Sequence, residues 1–204
     1  MKTAKIDLYK VHAADYVTPK KPVLVKIAKA QYLAIAGQGA PGGTAFQDAI
    51  GALMAVAYTA KMASKFEAGR DYGVAKLEAQ WWVEDGACFN QESKDKWFWN
   101  LLIRTPDFIG KKDVAATHAK LIEKGKPPIV KNVALFSLTE GQCVQMLHVG
   151  PYDREGESIA LMLTFAQEQG FAFHARHHEI YLSDPRRVEP AKLRTILRMP
   201  LKKQ

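Results

Sequence analysis

Cysteine is nearly missing from this chain: two in 204 residues, Cys88 and Cys143. One lies in a polar stretch and the other inside an apolar strand pattern, with neither pairing nor metal-ligand spacing, so a disulfide framework is excluded and a reducing compartment expected. No run reaches the roughly 18 apolar residues that a membrane helix needs. Met1 to Lys10 alternates polar and apolar residues without the apolar stretch of a signal peptide, so a cytoplasmic protein with no membrane partner is expected. Clustered charge is lacking too. The net charge is +8, but the basic residues come as scattered pairs such as Lys20 and Lys21 or Arg186 and Arg187, and no direct nucleic-acid partner is expected. A G-x-S-x-G nucleophile elbow is absent. Histidines are few and badly placed for a metal: His174 and His178 are four apart but fall in a strand pattern and not a helix, His148 stands alone, and His177 and His178 point to opposite faces of a strand, so no metal site is expected.

What the chain does have is an ordinary soluble composition, 48% hydrophobic and 25% charged, and an internal repeat. VLVKIAKAQYLAIAGQG (Val23–Gly39) and ALFSLTEGQCVQMLHVG (Ala134–Gly150) align so that Ile27 meets Leu138, Gln31 meets Gln142, Ile35 meets Met146 and Gly39 meets Gly150. Each copy shows two short apolar runs about a Lys-Ala or Glu-Gly turn, the pattern of a β-hairpin. A helix follows in both. Thr44 with Gln47 reads as a capping box before Phe46, Ile50, Leu53, Met54 and Ala57, with Gly69 as the stop; Asp153 reads as the cap before Ile159, Met162, Leu163 and Ala166, with Gly170 as the stop. Two more strands close each copy, and LLIRTP matches TILRMP in Arg104 with Arg198 and Pro106 with Pro200. The expected fold is therefore α+β: two pseudo-symmetric β-β-α-β-β repeats forming one domain of two lobes over residues 1–204, with a ligand cleft between them. The first lobe covers about 20–110, a linker helix about 111–125 and the second lobe about 130–203.

Strand alternation sorts the candidate site residues into faces. In the segment His177 to Ser183, Ile180 and Leu182 are expected on the helix, which turns Glu179 and Tyr181 toward the cleft. The repeat aligns Glu78 with Glu179, so Glu78, Gln80 and Trp82 are expected in the cleft and Leu77, Ala79 and Trp81 on the helix side. A carboxylate on the inner wall of an apolar cleft would be partly desolvated, its pKa raised, and suited to acid–base work or to a cationic ligand. The competing reading is a solvated sheet face on which the two glutamates pair with Lys76 and Arg176. Consecutive aromatics on a strand cannot all face one core, so at least one of Trp81 and Trp82, and one of Trp97, Phe98 and Trp99, would line a stacking wall for a flat ligand. Tyr152, in the turn GPYD, would sit at the cleft rim before the second helix.

HVGPYDREGESI, HHEIYLSDPRR and KLRTILRMPLKK resemble the C-terminal half of GyrI-like proteins, and QYLAIAGQGAPGG with KLEAQWW resembles the N-terminal half of their stand-alone bacterial branch. The resemblance runs from Asp7 to Lys203. It implies a small-molecule-binding domain whose relatives include drug-sensing parts of transcription activators, where a buried glutamate meets cationic aromatic ligands. It also implies hydrolases that open the strained ring of DNA-alkylating cyclopropanoids without cofactor or metal. Carried onto this sequence, the family's cleft glutamate falls on Glu179, its turn tyrosine on Tyr152 and its aromatic wall on Trp81 and Trp82. Gln80 departs from the branch, which commonly has an apolar residue there. The expected function is cofactor-free detoxifying hydrolysis, with Glu179 and Tyr152 catalytic and Trp82, Trp81, Glu78, Tyr181, Trp97 and Phe98 holding an apolar or aromatic molecule. A non-catalytic sensor or sequestering protein, or an inhibitor contacting another protein, is the alternative, and the oligomeric state is left open.

Overall fold

The computed structural model describes residues 4–84 and 93–204, which leaves Cys88 outside the described residues. A one-turn helix, α1 (Leu8–Val11), starts on the Asp7 carboxylate, which accepts from the amides of Tyr9 and Lys10, and a 3-10 turn follows at Ala13–Tyr16. Then come β1 (Val23–Ile27), β2 (Ala30–Gln38), the long helix α2 (Thr44–Glu67), β3 (Leu77–Trp82), β4 (Phe98–Arg104) and α3 (Lys111–Glu123). The second half supplies β5 (Ala134–Leu138), β6 (Gly141–Val149), α4 (Glu155–Glu168), β7 (Phe171–Phe173), β8 (His177–Tyr181) and β9 (Arg194–Lys203). Among the described residues no helix is long and apolar enough to cross a membrane.

Both long helices stop where glycine was expected to stop them, with Gly69 and Gly170 at φ +67° and +76°. Their starts differ from expectation. Gly43 occupies the cap of α2 and Arg154 that of α4, neither with a side chain that accepts from a helix amide, so Thr44 is the first residue inside its helix and Asp153 sits in a 3-10 turn before α4.

The expected hairpins are not made. β1 pairs with β6 of the other half, Val23 opposite Gln145 through Ile27 opposite Gly141, and β5 pairs with β2, Ala30 opposite Leu138 through Ala34 opposite Ala134. A two-residue hairpin loop needs positive φ at its centre. Ala28 and Lys29, between β1 and β2, have none; between β5 and β6 the only positive φ is at Gly141, already inside the strand. The chain therefore runs on instead of turning back, and each first strand crosses to the other half. The antiparallel order is β1-β6-β9-β8-β3-β4-β2-β5, with β7 added on β9. Read from either end, it names corresponding segments of the two copies.

This order forces curvature. β1 and β2 stand six strand spacings apart, about 29 Å in a flat sheet at 4.8 Å per strand, yet two residues join them and reach no more than about 11 Å. The sheet must curl until its ends meet. α2 packs on β2 and β4, and α4 on β6, β7 and β9, all from one side. Leu33, Ile35, Ala79, Leu101 and Ile103 meet Leu53, Val56 and Ala57 under α2, while Val144, Met146, Leu197 and Met199 meet Met162 and Ala166 under α4. The alternate residues, among them Tyr32, Glu78, Gln145, His178 and Arg198, fill the inside of the curl, and the segment carrying Asp15 and Tyr16 closes it.

Candidate active site

Because the two helices cover the flanks of the sheet, the central strands β3 and β8 form the floor of a trough between them. β8 directs His177, Glu179 and Tyr181 into this trough, and β3 places Ala79 opposite Glu179 and Trp81 opposite His177. The first turn of α4 adds Glu155. One donor atom from each of Glu155, His177 and Glu179 lies within 4.8 Å of the others, and the three residues are only 7%, 3% and 6% exposed.

Two carboxyl groups this close and this buried cannot both hold a negative charge cheaply. Burial first, then the charge of Glu179 beside it, raise the Glu155 carboxyl well above the usual carboxylate range. Glu179 Oε1 stands 3.2 Å from His177 Nε2. The Tyr181 hydroxyl, driven far above its ordinary pKa by burial and then by Glu179, bonds to Glu179 and accepts the Trp81 indole N–H at 3.2 Å. Behind it, Trp81 stacks on Phe46 of α2 at 5.4 Å and meets the edge of Trp97 at 5.9 Å. Tyr152, 39% exposed, sits at the rim with its ring perpendicular to that of Tyr181 at 5.9 Å, and burial followed by the charges of Glu155, Glu179 and Asp184 pushes its hydroxyl up to about 12.

The buried carboxyl pair thus lies beneath aromatic walls in a trough between two helices, and residues 20–202 match the family model of the GyrI-like small molecule binding domain. The chain belongs to the GyrI-like family. A conserved protein of unassigned function from Listeria innocua superposes on it with a TM-score of 0.91 at 34% identity, covering 97% of this chain and 100% of that one. A hydrolase from Listeria innocua does so at 0.87 and 32%, with the same coverage. The EcmrR C-terminal domain, at 0.57 and 13% over 90% of this chain and 98% of that one, shares the fold. No curated protein matches the chain in sequence.

Within this GyrI-like trough the structure gathers Glu179, Tyr181, Tyr152, Trp81 and Trp97. Glu78, Trp82 and Phe98 lie elsewhere. Glu78 pairs opposite Ile180, not Glu179, so the two glutamates project from opposite faces of the sheet, and the expectation that they share a cleft is corrected. The error came from taking Ile180 and Leu182 as the helix side. They pack on Tyr16 and Ile196 inside the curl, so both faces of β8 are buried and alternation alone does not tell which one the helices flank. Trp82 shares the Glu78 face, stacked on Phe98 at 5.7 Å with the Arg176 guanidinium 3.5 Å over its ring.

Glu78 is not solvated and does not pair with Lys76. It accepts from Tyr16 at 3.0 Å and lies 3.1 Å from His178 Nε2, whose Nδ1 is 2.9 Å from Glu140; Glu140 in turn takes Arg198 at 2.7 Å, and Arg104 binds Asp15 at 2.7 Å. Burial alone would raise the Glu140 carboxyl, but His178 and Arg198 hold it down at about 2. Burial likewise opposes a charge on His178, and Glu140 followed by Glu78 overcomes it, raising the imidazole to about 9. This GyrI-like chain thus keeps two buried titratable groups apart: a balanced ionic network inside the curl and a proton-sharing pair in the trough. Glu155 and His177 were missed from sequence. An acid in the first turn of a helix reads as a dipole complement, and His177 was weighed only against other histidines, although His177 and Glu179, two apart on one strand, share a face by elementary strand geometry.

Proposed function

We propose that this GyrI-like protein hydrolyses electrophilic apolar or aromatic small molecules, strained cyclopropanoid alkylators being the class that suits it, and so removes them before they react elsewhere. The observation that carries this reading is the buried carboxyl pair, Glu155 and Glu179, whose donor oxygens lie within 4.8 Å of each other and whose burial and mutual repulsion raise the Glu155 carboxyl. Similarity to the hydrolase from Listeria innocua along the whole of both chains supports it.

The chemistry needs one base and one acid at the bond being opened. Glu179 takes a proton from water as the water oxygen forms a bond to the strained ring carbon. The ring C–C bond breaks, its electrons move onto the conjugated oxygen of the substrate, and Glu155 protonates that oxygen. The pair ends with its proton on the other carboxyl, and one transfer between the two contacting groups restores the start. Tyr181, fixed by Trp81, holds Glu179 in line. Trp81, Trp97 and Phe46 give the trough its aromatic lining, and Tyr152 covers a flat ligand from the rim.

Purified protein incubated with a cyclopropane-bearing alkylator is expected to yield the ring-opened hydrate by mass spectrometry, faster than buffer alone. Unchanged ligand recovered bound to the protein would make it a sequestering protein instead.

A further inference from the structure

We propose that Glu155, His177 and Glu179 form a binding site for a divalent transition-metal ion of the zinc type. The set offers one imidazole nitrogen and two carboxylate oxygens, all within 4.8 Å of one another. Zinc holds such ligands at about 2.0–2.2 Å in a tetrahedron, which puts the donor atoms roughly 3.3 Å apart. His177 Nε2 and Glu179 Oε1 already stand at 3.2 Å on one strand, and Glu155 brings the third donor within 4.8 Å.

A second observation points the same way. Glu155 is more than nine-tenths buried, yet its Oε1 has no hydrogen-bond partner among the described residues, a costly state for an acceptor removed from water. A cation supplies the missing partner. Two carboxylates also neutralise a dication, so filling the site buries no net charge. The mixed nitrogen and oxygen donors favour zinc, cobalt or manganese over calcium, which takes oxygen alone. Three protein ligands leave a fourth position open toward the trough.

An ion there takes the carboxylates that acid–base turnover needs, so zinc and substrate turnover exclude each other. That corollary rests on the catalytic reading above; the binding does not.

Cobalt(II) titrated into the chelator-treated full chain, without substrate, is expected to give one ion per chain with the visible absorption of a four- or five-coordinate site and no thiolate charge-transfer band. Zinc should displace it. Glu155→Gln and His177→Gln should each weaken binding by about 100-fold or more, while His174→Gln stays within about twofold of the parent. Should Glu155→Gln fail to fold, Glu155→Asp, which keeps the charge and shortens its reach, should weaken binding about tenfold. Absence of a one-to-one complex tighter than about 1 mM, or parent-like binding in the cluster variants, overturns the proposal. Loss of hydrolysis on adding zinc is measured separately, so failure of the binding and failure of the catalytic reading are told apart.

Discussion

At the scale of single residues, two glutamates that look alike in sequence lie on opposite faces of the sheet. Glu179→Gln is expected to lower turnover by about 100-fold or more, the scale of a positioned acid–base group, with melting close to the parent. Glu78→Gln should do the reverse: it removes one partner from a buried ionic network and should cost about 3–5 kcal/mol of stability, while turnover by the surviving folded protein changes little. Denaturant melts and initial rates on both variants check this, and the opposite pattern would exchange their roles. Neighbouring tryptophans divide in the same way. Trp81→Ala opens a cavity under Phe46 and frees the Tyr181 hydroxyl, so it should lose about 3–5 kcal/mol and also turnover. Trp82→Ala removes a ring stacked on Phe98 outside the trough and should leave ligand affinity within a few-fold. Alternation in KLEAQWW is enough to separate Trp81 from Trp82, and the motif HHEIYL to mark Glu179 and Tyr181. Glu155 could not be found this way, because its partner lies on a strand more than twenty residues along and only the packing of α4 on the sheet unites them.

At the scale of elements, the helices and strands were legible because apolar spacing and glycine stops are local. Pairing partners are not local. Lys29-Ala30 reads as a hairpin turn, and only the pairing of β1 with β6 and of β2 with β5 shows that the chain crosses there instead. One close approach is testable. A Cβ added at Gly37 on β2 would come within 2.3 Å of the Trp99 ring, which lies across that glycine and meets Phe46 edge-on at 5.5 Å. Gly37→Ala must push the indole into the packing beneath α2, an overpacking expected to cost about 1–3 kcal/mol and to lower the melting temperature. A parent-like melt would mean that Trp99 has room to move.

For the molecule as a whole, the network inside the curl ties segments distant in sequence: Asp15, Glu78, Glu140, His178 and Arg198 come from the N-terminal turn, β3, the β5–β6 crossing, β8 and β9. Its acid response follows from Glu140. A carboxyl held at about 2 in the folded chain and at its ordinary value when unfolded gives stability that is complete above the ordinary carboxylate range and is lost as pH falls through it toward 2. Thermal melts from pH 6 down to pH 2 should therefore fall, and Glu140→Gln should flatten that fall while lowering stability at pH 6. A slope unchanged by Glu140→Gln would assign the acid sensitivity to other groups.

The exchange of first strands means that neither half of this chain owns a complete wing of its sheet. Each wing is stitched from both, like clasped hands, and the two cannot part without unpairing β1 from β6 and β5 from β2. Access to the buried carboxyls therefore cannot come from halves swinging open about α3. It has to come from small shifts at the trough rim, where the start of α4 and Tyr152 lie. The same interlock makes the halves mutual templates: a chain cut within Glu123–Pro127 is expected to give two pieces that are unfolded apart and regain the parent circular dichroism when mixed, and either piece folding alone would refute the interlock.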